Sequence, residues 1–273
     1  MRMIRAVMAT TRVDLHGERF ALAALESMRD HIRSAYLPFI ADHDPRCPPV
    51  GRVIDADIVR LDDGEHALEA SVELFEDGPL PQLDERRSIS VGTPPSTSLQ
   101  LTIDRTFSLP DFEQPVAAIA KLFGDSPRFE VKKALDPIAV LAIGVGAFAG
   151  GKFAGAFFSK LGTDAAAALS ARLKEVFAHK RPDQTRLLKF EFYFDHNGET
   201  RRADVIMTAP HGADIDQFLS DGLRALDQLL PEYIDQIDGL IRYVFMYSNG
   251  RFTYAFGVRR DARPFFPENR EKS

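Results

Sequence analysis

The sequence predicts an α+β protein with strands gathered toward both ends and an apolar helix between them. Three observations carry that reading. Residues 66–76 and 99–107 alternate apolar and polar side chains, as strands with one buried and one wet face do. Residues 137–158, PIAVLAIGVGAFAGGKFAGAFF, hold a single charge, Lys152. Asn197-Gly198 and Asn249-Gly250 each sit between apolar runs, and Asn-Gly in that setting is the strongest short signal for a β-hairpin.

The 273 residues are enough for two domains of ordinary size. A composition 45% hydrophobic and 27% charged is that of a globular chain. A net charge of −6 gives no electrostatic footprint for nucleic acid, so no nucleic-acid partner is expected. Cys47 is the only cysteine, which excludes an internal disulfide, and its neighbours Arg46 and Pro48 make no metal pattern. The opening MRMIRAVMATTRVDL lacks an apolar core of signal-peptide length. A cytoplasmic protein is expected, with the inner membrane face as a possible station because of the apolar run.

Along the chain, residues 4–11 read as a β-branched strand left through a turn at 13–17. From 18 to 35, Leu25, Met28, Ile32 and Ala35 recur at steps of three and four, the pattern of a helix with one buried face. Residues 36–45 form a short extended piece that runs into a proline turn. Strands at 51–61 and 66–76 meet at Asp62-Asp63-Gly64; in the second, Leu68, Ala70, Val72 and Leu74 alternate with Glu69, Ser71 and Glu73. Pro79 and Pro81 break the chain before a strand at 87–92. At 99–107, Leu99, Leu101 and Ile103 alternate with Gln100, Thr102 and Asp104. One helix among at least five strands predicts a closed or nearly closed β-barrel domain over residues 1–110.

Residues 111–136 read as a connector broken by Pro115, Gly124 and Pro127 around a short helix at 116–123. The apolar run approaches the roughly 20 residues that cross a bilayer core. Its Gly146-x-x-x-Gly150 and Gly151-x-x-x-Gly155 have the spacing that lets two helices approach closely. Two readings stay open: a helix buried between flanking domains, or one that makes a homo-oligomer through these glycines or enters a membrane. It is followed by an amphipathic helix bearing Leu161, Ala165, Leu169, Leu173 and Phe177 on one side, so residues 137–181 form a helical segment. Residues 187–260 have a ββαββ plan. Phe218, Leu219, Leu223, Leu226, Leu229 and Leu230 keep helical spacing between two hairpins, and Pro231 is expected to break or kink that helix. An antiparallel sheet with the helix on one face follows. Phe190, Phe192, Phe194, Tyr243, Phe245 and Tyr247 read as a sheet face, His196 and His211 as turn residues, and 261–273 as a tail.

The segments VDLHGE at 13–18, ADHDPRCPPVGRV at 41–53 and SISVG at 88–92, in that order, resemble the prohead maturation proteases of tailed phages, over residues 4–107. The resemblance implies the serine-protease barrel that those enzymes share with the herpesvirus assembly proteases. It implies His43 as the catalytic histidine and Ser90 of Ser-Val-Gly as the nucleophile, with Ser88 in reserve. It also implies a carboxylate on a later strand, for which Asp104 is the best-placed candidate; Glu73 and Asp111 would meet the same need. The chemistry has a physical basis. A serine hydroxyl needs an adjacent base, an imidazole titrates near neutral pH, and a third group orients that imidazole. Asp42, His43 and Asp44 are consecutive and cannot converge on one ion, so no metal is expected, and no cofactor. The chain departs from the family in following Ser-Val-Gly with Thr93-Pro94-Pro95, where the family has an aromatic, and in the prolines ahead of Ser90.

Two functions stand on this reading. One is a serine endopeptidase, self-processing included, acting on a protein or peptide substrate through Ser90, His43 and Asp104. The other is a non-catalytic, protease-like sensor with a self-associating or membrane-inserting central helix, as in a bacterial defence or stress protein.

Overall fold

In the computed structural model, residues 2–13, 19–76, 87–89, 91, 99–104, 110–123, 128–130, 138–149, 154–155, 157, 162–178, 184–237 and 239–266 are described. The protein is a mixed α/β chain with two sheets. It divides into two compact units: Met1–Ser90 with Lys133–Leu135 and Val258–Ser273, and Val91–Lys132 with Asp136–Gly257.

In the first unit, strands β1 (Arg2–Thr10), β2 (Leu37–Phe39), β3 (Gly51–Arg60) and β4 (His66–Leu74) pair antiparallel in the order β1-β4-β3-β2. The alternation in β4 turns Leu68, Ala70 and Val72 inward, where they share one core with Val53, Ala56 and Ala9. Helix α1 (Leu22–Ser34) closes that core with Leu25 and Ile32, the positions that its periodicity marks as buried. The β3–β4 contact is close at its start: a Cβ on Gly51 would lie 2.5 Å from the Glu73 carbonyl oxygen, so only glycine fits there. Among the described residues this sheet does not close into the expected barrel. The strand that would have continued it, β5 (Leu99–Asp104), pairs instead in the second sheet.

The central apolar run is corrected. Over Ile138–Ala149 it is a strand, β7, and not a helix; of the rest of the run only residues 154, 155 and 157 are described, as short helical pieces. Every residue from Ile138 to Gly146 is buried, as in a strand covered on both faces, and such a strand shows no period to distinguish it from a helix. Its β-branched residues suit the pleat, while glycine in a helix interior costs roughly 1 kcal/mol. The helix-pairing argument therefore loses its basis. Gly146 belongs to the strand, Gly150 and Gly151 lie outside the described residues, and Gly155, in a short helical stretch, is exposed with nothing within 4 Å of an added Cβ. Among the described residues no helix is long and apolar enough to cross a membrane.

β7 is flanked by β5, antiparallel, and by β8 (Thr185–His196), parallel. The full order of the second sheet is β12-β11-β10-β9-β8-β7-β5-β6, with β6 (Arg128–Glu130), β9 (Glu199–Thr208), β10 (Leu240–Ser248), β11 (Arg251–Arg259) and β12 (Pro264–Phe265). The last residues of β11, with β12, are counted in the first unit. Both Asn-Gly turns form as the sequence predicts, with positive φ at Asn197, Gly198, Asn249 and Gly250, the backbone of a type I′ turn. The expected antiparallel sheet is mixed, because β10 runs parallel to β9. A parallel pair needs a crossover, and the helix between the hairpins supplies it. That crossover comprises α4 (Gly212–Gln217), a π-helical turn (Phe218–Gly222) and α5 (Leu223–Gln236), which continues through Pro231. Two further helices precede it, α2 (Pro110–Phe123) and α3 (Thr163–Ala178), the latter burying Leu169, Leu173 and Val176. The aromatic face is as expected: Phe190, Phe192 and Phe194 of β8 and Tyr243, Phe245 and Tyr247 of β10 are buried. Phe218 of the π turn lies 4.7 Å from Phe190 and 5.1 Å from Tyr247, ring centre to ring centre.

Candidate functional site

Tyr36 is the point at which the two implied catalytic segments meet. It precedes β2, whose chain runs on into a 3-10 turn, Ala41–His43, and it forms a parallel bridge to Ile89. Its N–H donates to the Ser88 carbonyl (3.2 Å), and the Ile89 N–H donates to the Arg260 carbonyl (2.8 Å). The ring of Tyr36, a residue 5% exposed, has two guanidinium groups over it, Arg52 at 4.6 Å and Arg87 at 4.4 Å. Arg52 is itself buried and bonded to Glu73 (Nε to Oε2, 2.9 Å) and to the Asp261 carbonyl (3.2 Å). Arg87 donates through Nη2 to the carbonyls of Ile32 (2.8 Å) and Ala35 (3.3 Å), which end helix α1.

His43 closes the 3-10 turn with φ of +52° and an exposed side chain. Of the three implied catalytic side chains it is the only one among those described: Ser90 lies outside the described residues, and Asp104 is described as backbone only, at the end of β5 in the second unit. The reserve Ser88 is exposed. Two carboxylates near His43 in sequence or along the sheet are committed elsewhere. Asp44 is buried and chelated by Arg46, Nε to Oδ1 at 2.9 Å and Nη2 to Oδ2 at 2.8 Å. Burial pushes the Asp44 carboxyl up, but the bonds from Arg46 outweigh it and hold the group below the usual range. Glu73, an alternative third group on sequence, is the buried partner of Arg52. Among the described residues no cluster of His, Cys, Asp and Glu could hold a metal ion.

Sequence reasoning missed a second assembly, in the second unit. On the face of β8 opposite its phenylalanines stand Lys189, Glu191 and Tyr193. In register beside them are Arg202 and Asp204 of β9, and beside Arg202 is Arg242 of β10. Asp204, fully buried, pairs with Arg202 (2.8 Å) and Arg242 (2.6 Å). Glu191 pairs with Lys189 (2.6 Å) and Arg202 (3.7 Å), and accepts from the Tyr193 hydroxyl at 3.1 Å. Arg202 also donates to the Val91 carbonyl at 2.7 Å. None of these five charged side chains is more than 16% exposed. Burial opposes ionisation of Glu191, but Lys189 and Arg202 outweigh it and hold its carboxyl far below the usual range. Burial, with Glu191 adding, pushes the Tyr193 phenol up to about 12. Every charge here has an opposite partner, so the arrangement ties three strands together and leaves no group free to act as acid, base or nucleophile. Its sequence signal was the alternation in KFEFYF and RRADVI, where Lys189, Glu191, Arg202 and Asp204 stand beside apolar neighbours.

No family model matches the chain, and neither a curated protein nor a solved structure matches it.

Proposed function

We propose that the protein is a serine endopeptidase of the prohead-protease type, with Ser90 as nucleophile and His43 as general base. The four-stranded sheet with α1 is then the described part of a protease-barrel scaffold. The single observation that supports this most is the parallel bridge between Tyr36 and Ile89, which lays the segment leading to Ser90 beside the one leading to His43. In the reaction, the Ser90 hydroxyl attacks a peptide carbonyl while His43 takes its proton and passes it to the departing amine. Water then releases the acyl group by the reverse proton path.

The test needs no substrate. Purified protein treated with a fluorophosphonate should gain the mass of one adduct, and Ser90→Ala and His43→Ala should gain none. Wild type left unmodified, under conditions that label a control serine hydrolase, sinks the reading. That result would favour the second one, a non-catalytic sensor of a protein partner. The commitment of Asp44 to Arg46 and of Glu73 to Arg52 supports that alternative, because it removes two carboxylates that could have served His43.

A further inference from the structure

Resting on the endopeptidase reading, we infer that Arg87 is a positioning residue that holds the chain immediately before Ser90 in place. Three tethers converge on residues 87–89. The Arg87 guanidinium caps the C-terminal carbonyls of α1 at Ile32 and Ala35, where a cation also complements the helix dipole. The same guanidinium lies over the Tyr36 ring at 4.4 Å, and the backbone N–H of Tyr36 donates to the Ser88 carbonyl. Ile89, 5% exposed, is anchored by its bond to the Arg260 carbonyl.

The arginine is more than a helix cap for two reasons. Its Nη2 donates to both carbonyls while the guanidinium carbon lies 4.4 Å from the centre of the Tyr36 ring, and a lysine ammonium, a compact point charge, cannot occupy both places at once. Its Nε is buried and makes no hydrogen bond among the described residues, so the side chain is held by these contacts at some cost. Tyr36 is also the residue from which the chain leads through β2 to His43, so the stack bears on both catalytic segments. In this inference Arg87 acts by positioning, through the chain that leads to Ser90.

The experiment measures the rate of fluorophosphonate labelling against pH, with the amide exchange of Ile89, for wild type, Arg87→Ala, Arg87→Lys and the surface control Arg29→Ala. Arg87→Ala and Arg87→Lys should label roughly tenfold to a hundredfold more slowly, the scale on which misplacing reacting atoms by about 1 Å acts. The apparent pKa of the rate profile should stay where it is, because the base is untouched, and millimolar guanidinium should restore part of the rate to Arg87→Ala. Arg29→Ala should label as wild type does, and exchange at β3 and β4 should be unchanged in all variants, which separates misplacement from unfolding. Labelling of Arg87→Ala at the wild-type rate overturns the inference. Failure of wild type to label overturns the endopeptidase reading and with it a role in positioning a nucleophile. Exchange then still decides on the clamp: faster exchange at Ile89 in both variants upholds it, and unchanged exchange overturns that too.

Discussion

The two buried ion clusters, one in each unit, are built in different ways, and the difference shows what each depends on. In the first unit Arg52 and Glu73 stand directly opposite each other in the β3–β4 register, 21 residues apart in a hairpin. In the second unit Asp204 draws one arginine from its own strand and one from β10, 38 residues away across a helical crossover. The first is a local pair with extra contacts from the Asp261 carbonyl and the Tyr36 ring. The second exists only once the parallel β9–β10 pairing has formed. A local pair can form with its hairpin, whereas the distributed one reports on the whole sheet.

The largest expected effect comes from breaking the distributed cluster. Asp204→Ala leaves Arg202 and Arg242 buried with no shared carboxylate and should cost about 3–5 kcal/mol in a urea melt. Replacing Asp204, Arg202 and Arg242 together by apolar residues of similar size should cost far less, since the desolvation penalty leaves with the charges. A triple variant as unstable as Asp204→Ala would show that the cluster contributes more than mutual compensation. Glu73→Ala should cost less than Asp204→Ala, because Arg52 keeps its carbonyl and its ring. An equal or greater loss would reverse the ranking of the two clusters.

Acid sharpens the comparison. Glu191 is held below its unfolded value of about 4.3. Its contribution is complete above that pH and is lost as the pH falls below about 4 toward the folded value. Stability should therefore drop between about pH 4 and pH 2, and Glu191→Gln should flatten part of that slope. An unchanged slope would mean that Lys189 and Arg202 do not favour the ionised form. The smallest effect is at the surface: Lys174 and Asp216, both more than a third exposed, form an ion pair of 2.5 Å, and Lys174→Ala should change stability by less than about 1 kcal/mol.

Much of the local structure was legible. The alternation of Leu68, Ala70 and Val72 marked the inner face of β4, and the steps of Leu25 and Ile32 marked that of α1. Both Asn-Gly turns appeared where the residues demand positive φ. The candidate site was legible only as segments. The motif around His43 and the run leading to Ser90 were readable, but the stack of Arg87, Tyr36 and Arg52 that joins their neighbourhoods has no sequence pattern. The apolar run was misread because a strand buried on both faces and a buried helix share a continuous hydrophobic pattern. β5 was assigned correctly as a strand and to the wrong neighbours, since its alternation specifies a buried face without specifying which strand lies beside it.

Read alone, the chain settles the inner face of β4, the buried face of α1, the positions of both hairpins, and the residue types available for chemistry. These follow from short-range sterics and from the spacing of side chains along one element. Three dimensions decided that 138–149 is a central strand, that β9 and β10 run parallel, that β5 joins the second sheet, and that Glu73, Asp44 and Asp204 are consumed by arginines. Those choices depend on which distant surfaces bury each other and on whether a buried charge finds its counter-charge, and neither quantity is carried by any one stretch of residues.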